Sequence, residues 1–200
     1  MNRMAVDVVL LPDEAMAARA IEANAALEQS GASRIVLDSA TCLPHISLAM
    51  GCIERRDVKS IEENLRTVVD RHPVGTLTIT GVVTSLNARG EPVSAFAMAK
   101  TQALQTLHER VMEATQAHFT YDATDAMMHG AEETAETSLA WIRTFREKAA
   151  WGAFFLHITL GYGVVRQAMC FPIDFAARGL ALCHLGNHCT CREVLAEVTL

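Results

Sequence analysis

Two histidines with matching neighbours are the residues of this chain best suited to chemistry. His45 opens the sequence His-Ile-Ser-Leu, and His157 opens the sequence His-Ile-Thr-Leu. Imidazole is the side chain whose ordinary pKa lies near neutrality, so two of them can act as base and acid in one reaction. The hydroxyls of Ser47 and Thr159, two positions after each histidine, can hydrogen-bond a phosphoryl oxygen where negative charge gathers. This combination suits in-line displacement at phosphorus without a metal ion.

Each copy of the motif lies in a mostly apolar run, residues 43–53 and residues 153–165. Runs of this kind predict strands that are buried on at least one face. Side chains alternate across a strand, so the histidine and the hydroxyl of each copy share one face, while the Ile and the Leu share the other. One such copy alone is more often an ordinary strand. Two matched copies favour a catalytic pair.

The elements that must position these strands follow from hydrophobic periodicity and turn residues. Residues 119–133 lack an apolar period and predict a long loop, a kind of segment that is often functional. The length and composition predict one domain over residues 1–200. Four helices are predicted: one over residues 12–28, one that begins at an Asp57 cap, one that begins at a Thr101 cap and one over residues 134–148. The remaining predicted strands cover residues 6–11, 76–86, 93–99, 179–185 and 190–200.

Charge and composition limit the possible partners. The net charge of −6 opposes binding along an extended polyanion, so the expected substrate is a small nucleotide or the end of an RNA. No apolar run reaches the length of a membrane span, and no membrane partner is expected. Six cysteines without secretory features predict reduced thiols in a cytoplasmic protein, which we expect to be a monomer.

With these motifs, the chain resembles the two-histidine (2H) phosphoesterase superfamily, in particular the bacterial 2′-5′ RNA ligase-like branch, which also contains cyclic phosphodiesterases. The likeness covers most of the chain, including Leu-Pro-Asp-Glu after the first strand and Leu-Pro before the first motif. One departure is Leu156, which stands where many relatives have proline before the second histidine. The resemblance implies an α+β fold: a single bilobal domain of two antiparallel sheets with flanking helices around a pseudo-twofold cleft.

The resemblance also implies the roles of the motif residues. His45 and His157 would be the catalytic acid-base pair, and Ser47 and Thr159 would hold the substrate phosphate. The expected reaction opens a 2′,3′-cyclic phosphate on an RNA end or a nucleotide. Two alternatives stay open: a 2′-5′ RNA ligase that joins RNA halves, and a binding module without turnover. The symmetry of the motifs does not identify which histidine is the base.

Other candidate residues carry weaker signals. Tyr162 and Tyr121 could stack on a base, because stacking tolerates any base. A cluster between Cys183 and Cys191 contains cysteines and histidines, but its spacing is not that of a standard zinc site, so no metal is expected. The chain has no G-x-x-x-x-G-K-[ST] phosphate loop, which argues against ATP use by that route. No cofactor is expected.

Overall fold

The computed structural model describes residues 2–27, 34–87, 89–130 and 133–200. Within these ranges the chain forms four α-helices and two antiparallel sheets of four strands each, which confirms the predicted α+β class. None of these helices is long and apolar enough to cross a membrane. The elements in chain order are β1 (Arg3–Pro12), α1 (Glu14–Ala25), β2 (Ile46–Glu54), α2 (Val58–Arg71), β3 (Leu77–Leu86), β4 (Pro92–Met98), α3 (Gln102–Thr115), α4 (Glu136–Lys148), β5 (His157–Tyr162), β6 (Ile173–Phe175), β7 (Ala177–Gly186) and β8 (Thr190–Thr199).

Sheet one has the strand order β2-β1-β7-β8 and carries the first histidine motif on its edge strand β2. In the antiparallel pairing of β1 with β2, Val8 lies opposite Ala49 and Val9 lies opposite Ser47. Leu48 therefore has no partner and forms a β-bulge. Bulges re-aim the neighbouring side chains and are frequent beside active sites.

Sheet two has the order β5-β4-β3-β6 and carries the second motif on its edge strand β5. Ala95 pairs with Thr159, and Ser94 pairs with Gly161, so Leu160 is bulged in the same motif position as Leu48. The short strand β6 was not predicted from the sequence. It has only three residues and pairs with the beginning of β3, and such a short strand gives almost no periodic signal.

The helix caps were predicted with mixed success. The Thr101 side chain accepts a hydrogen bond from the backbone N–H of Leu104, which confirms the predicted cap of α3. The prediction that Asp57 caps α2 is wrong. A 3₁₀ turn over Arg55–Asp57 runs directly into α2, so Asp57 already has helical backbone angles and its carboxylate caps no N–H.

The two faces of β1 bury different side chains. Val8 and Leu10 join the main core, whereas Val9 and Leu11 face a smaller cluster that includes Cys183 and Cys191. These two cysteines form a disulfide with a Cα–Cα separation of 5.6 Å. The prediction that all six cysteines are reduced is therefore corrected for this pair, because the β7–β8 hairpin brings the two sulfurs together.

The predicted long loop is present and is anchored at several points. The Arg3 guanidinium donates to the Asp122 carboxylate at 2.7 Å. Tyr121 packs partly buried against the main core, and Met127 lies in that core within a short 3₁₀ turn. The backbone N–H of His129 donates to the carbonyl oxygen of Leu185 on β7 at 2.7 Å. The described part of this loop is therefore tied to sheet one.

Candidate active site

A cleft of about 730 Å³ lies where the two motif-bearing edge strands approach each other. His45 and Ser47 line it from sheet one, and His157 and Thr159 line it from sheet two. Within each motif, the histidine and the hydroxyl residue share one face, as the alternation of side chains along a strand predicts. The bulge does not disturb this, because the bulged leucine comes after the hydroxyl residue. The four residues predicted to do chemistry therefore surround one space.

Both imidazoles are held in the same way by the backbone. Nδ1 of His45 lies 2.8 Å from the carbonyl oxygen of Leu43, and Nδ1 of His157 lies 3.1 Å from that of Phe155. In each case the carbonyl belongs to the residue two positions earlier, although Pro44 precedes one histidine and Leu156 the other. A carbonyl only accepts, so Nδ1 carries the proton and Nε2 of the neutral ring keeps its lone pair. Each Nε2 can then take up or release a proton.

The electrostatic surroundings of the two histidines make them a coupled pair. Burial lowers the pKa of both His45 and His157, while the carbonyl at each Nδ1 acts in the opposite direction. A charge on His157 lowers the pKa of His45 further. Protonation of one ring therefore disfavours protonation of the other. A state with one neutral and one charged imidazole is the state that acid-base catalysis needs.

Beside each motif, the carbonyl oxygen of the bulged leucine accepts a hydrogen bond from a buried side chain of a helix. The Nδ2 amide of Asn24 on α1 donates to the Leu160 carbonyl at 2.6 Å, and Nδ1 of His108 on α3 donates to the Leu48 carbonyl at 2.7 Å. Nε2 of His108 accepts from the backbone N–H of Trp151 at 2.7 Å. Both side chains are buried, so these hydrogen bonds fix the curvature of each motif strand beside its hydroxyl.

A buried carboxyl group lies beneath the hydroxyl of the first motif. Asp7 is fully buried on β1, on the face that also carries Ser47, and neither of its oxygens forms a hydrogen bond of good geometry. Burial raises the pKa of Asp7 to about 8, although the Ser47 hydroxyl and the Ala49 backbone oppose that rise. Asp7 is therefore mostly neutral at pH 7. The sequence did not indicate that Asp7 lies under the cleft, because it is a single acidic residue within an apolar strand.

The two tyrosines predicted to stack on a base lie in different places. Tyr162 lines the cleft, but its ring is largely buried and its hydroxyl lies 3.0 Å from Nδ1 of His188. Tyr121 does not line the cleft. The exposed aromatic residues there are Trp141 and Phe155, which are 42 % and 56 % exposed. The Phe155 ring stacks on the His157 ring with centroids 5.3 Å apart.

Sequence reasoning missed Trp141, Phe155 and Lys148 as cleft residues. Helix α4 buries Leu139 and Ile142 and turns a neighbouring stripe, which includes Trp141 and Lys148, toward the cleft. The sequence did contain one indication of this surface: Trp141 is a large apolar residue that lies outside the buried stripe of an amphipathic helix. Lys148 is the one Lys or Arg lining the cleft among the residues that the structure describes.

The cysteines and histidines between Cys183 and Cys191 lie in different surroundings. Cys183 and Cys191 form the disulfide described above, whereas His188 and Cys189 line the cleft. His184 lies away from the cleft, with its Nδ1 3.6 Å from a carboxylate oxygen of Glu193. Alternation along β7 and the turn over Asn187–Cys189 separate these side chains.

Three solved structures share this fold over nearly the whole chain. Escherichia coli LigT complexed with NADP+ matches with a TM-score of 0.56 and 14 % identity, covering 99 % of this chain and 98 % of that one. A structure described as a phosphoesterase matches with 0.56 and 14 %, covering 98 % of both chains. The protein TT0787 of Thermus thermophilus matches with 0.50 and 15 %, again covering 98 % of both. The predicted likeness to 2H phosphoesterases is thereby confirmed at the level of the fold.

No protein-family model matches the chain, and no curated protein sequence matches it. The fold and the geometry of the cleft are therefore the basis for a functional assignment.

Proposed function

We propose that this protein is a phosphodiesterase that opens 2′,3′-cyclic phosphates on RNA ends or nucleotides by paired-histidine acid-base catalysis. The observation that carries this proposal is the matched setting of His45 and His157. Each holds Nδ1 against a backbone carbonyl, and both line one cleft with a hydroxyl two residues away. This pairing supplies a proton acceptor and a proton donor without a metal ion.

The reaction is a displacement at phosphorus. Nε2 of the neutral histidine removes a proton from water, and the water oxygen forms a new bond to phosphorus. The bond from phosphorus to the 3′ oxygen breaks, and Nε2–H of the second histidine protonates that oxygen. The product is a 2′-phosphate. Ser47 and Thr159 donate hydrogen bonds to the non-bridging oxygens, where charge gathers in the transition state.

The size and lining of the cleft favour a nucleotide or an RNA end as the substrate. Its volume of about 730 Å³ is that of a small-molecule pocket. Phe155 and Trp141 offer exposed rings for a base, and stacking of this kind contributes about 1–3 kcal/mol per base. NADP+, the ligand in the LigT crystal structure, carries a 2′-phosphate on its adenosine ribose, the group that the proposed reaction leaves.

A 2′-5′ RNA ligase is the second candidate, because ligation is the same chemistry with a 5′-hydroxyl as one partner. The likeness to LigT supports it. The net charge of −6 and the presence of only one Lys or Arg side chain among the described residues of the cleft favour hydrolysis of a small substrate. The monomeric state and the cytoplasmic location stay predictions.

The deciding experiment is a turnover screen with 2′,3′-cyclic nucleotides and RNA ending in a 2′,3′-cyclic phosphate. The His45→Ala/His157→Ala double variant serves as the blank. We expect the wild-type chain to release 2′-phosphates and the blank to release none above background. Joining of RNA halves without net hydrolysis would move the assignment to ligase. Tight nucleotide binding without either reaction would make the protein a binding module.

A further inference from the structure

Three side chains outside the cleft bring metal-ligating atoms together. His129, His184 and Glu193 each offer one ligand atom, an imidazole nitrogen or a carboxylate oxygen, and these atoms all lie within 4.8 Å of one another. The Glu193 oxygen is 3.6 Å from His184 Nδ1 and 3.9 Å from His129 Nε2. None of the three lines the cleft.

These separations are close to those of a bound ion. Zinc binds imidazole nitrogen and carboxylate oxygen at about 2.0–2.2 Å, which puts tetrahedral ligand atoms about 3.3–3.6 Å apart. The 3.6 Å separation between Glu193 and His184 lies at the upper end of that range. The 3.9 Å separation between Glu193 and His129 exceeds it by a few tenths of an ångström, which a small side-chain rotation removes. Two imidazoles and one carboxylate select a borderline divalent ion such as Zn²⁺ over Mg²⁺ or Ca²⁺.

The tautomer of the neutral His184 ring follows from the contact of its second nitrogen. Its Nε2 lies 3.0 Å from the carbonyl oxygen of Met127, to which it must donate. The neutral ring therefore turns the lone pair of Nδ1 toward Glu193. That Nδ1 is buried and has no hydrogen-bond partner. A backbone carbonyl that fixes the tautomer of a ligating histidine is a usual feature of metal sites.

The backbone also prepares the site. His184 and Glu193 are directly paired across β7 and β8, so two ligands stand on a rigid sheet. His129 comes from the long loop, and its own N–H bonds to the Leu185 carbonyl beside them. Glu193 and His129 have side chains that are 48 % and 39 % exposed, so an ion can enter and water can complete its coordination.

We infer that His129, His184 and Glu193 form a binding site for a divalent zinc-type ion, which ties residues 119–130 of the long loop to sheet one. The site is separate from the histidine pair that carries the proposed reaction. Its role is to stabilise the loop, and the proposed hydrolysis does not pass through the ion.

The test is titration of the metal-free full chain with Co²⁺, followed by its visible absorption, and with Zn²⁺, followed by calorimetry. The His45→Ala/His157→Ala background removes the other paired imidazoles. We expect one ion per chain. Glu193→Gln and His129→Ala should each weaken binding by more than about 100-fold, beyond the 10- to 100-fold expected for losing a group that only supports a ligand.

The matched control is His118→Ala, which removes a histidine that also lies beside a carboxylate, with Nδ1 3.7 Å from Asp57. It should leave binding unchanged. In the otherwise wild-type chain, Zn²⁺ should raise the melting temperature by mass action, and Glu193→Gln should abolish that rise. Absence of binding, or equal affinity in wild type and Glu193→Gln, would overturn the inference. Neither result bears on the phosphodiesterase screen.

Discussion

Replacing Asp7 by Asn should raise the free energy of unfolding, relative to that of the wild type, more at neutral pH than in acid. Asp7 is fully buried without a well-formed hydrogen bond, and its pKa is raised to about 8. In the unfolded chain the same carboxyl ionises near pH 4. A raised pKa in the folded state gives a stability contribution that is complete below about pH 4 and is lost progressively as the pH rises toward 8.

The magnitude follows from the two pKa values. At pH 7 the unfolded chain gains free energy by ionising Asp7 and the folded chain does not, a difference of about 4 kcal/mol. At pH 4 the same difference is under about 1 kcal/mol. Asn cannot ionise in either state, so the variant avoids this loss. Any cost of burying the amide is independent of pH and cancels when the two pH values are compared.

The assay is urea unfolding of wild type and Asp7→Asn at several pH values between 4 and 8. The advantage of the variant over wild type should grow by about 3 kcal/mol from pH 4 to pH 7. Asp70→Asn, on the exposed surface of α2, controls for the loss of one carboxylate. A stability difference between Asp7→Asn and wild type that stays constant across this range would refute the idea that Asp7 is buried in its neutral form.

The remaining predictions concern the cleft. His45→Ala and His157→Ala should each lower kcat by about 10²- to 10⁴-fold, and the double variant should lose less than the product, as steady-state rates will show. NMR titration should find that His157→Ala raises the pKa of His45, because the charge on His157 lowers it in the wild type. Ser47→Ala and Thr159→Ala should cost less than a histidine and leave the pH profile of kcat/KM unchanged in shape, because a hydroxyl orients phosphate without titrating; a shifted limb would contradict this.

Two strand periods, read separately, predict that each motif places a histidine and a hydroxyl on one face of its strand. Pairing of the two copies came from the family resemblance, and the structure brings them to one cleft. Asp7 escaped prediction because one polar residue in an apolar strand says nothing about which neighbour covers it. Trp141 was missed because its exposure depends on how α4 packs against β2, the strand of the first motif. The disulfide depends on hairpin register, which bulges in β7 and β8 shift.

The support beneath the two motifs shows why local geometry is more regular than sequence. The carbonyl of each bulged leucine accepts a hydrogen bond from a buried helix side chain, and leaving a buried carbonyl without any hydrogen bond would cost about 1–3 kcal/mol. An amide from Asn24 satisfies one, and an imidazole from His108 satisfies the other. The two side chains have different chemistry but supply the same N–H donor. The two halves therefore share the hydrogen bonds that shape the motif strands, although the residues that donate those bonds differ. For this reason a search for internal sequence repeats finds only the motifs themselves.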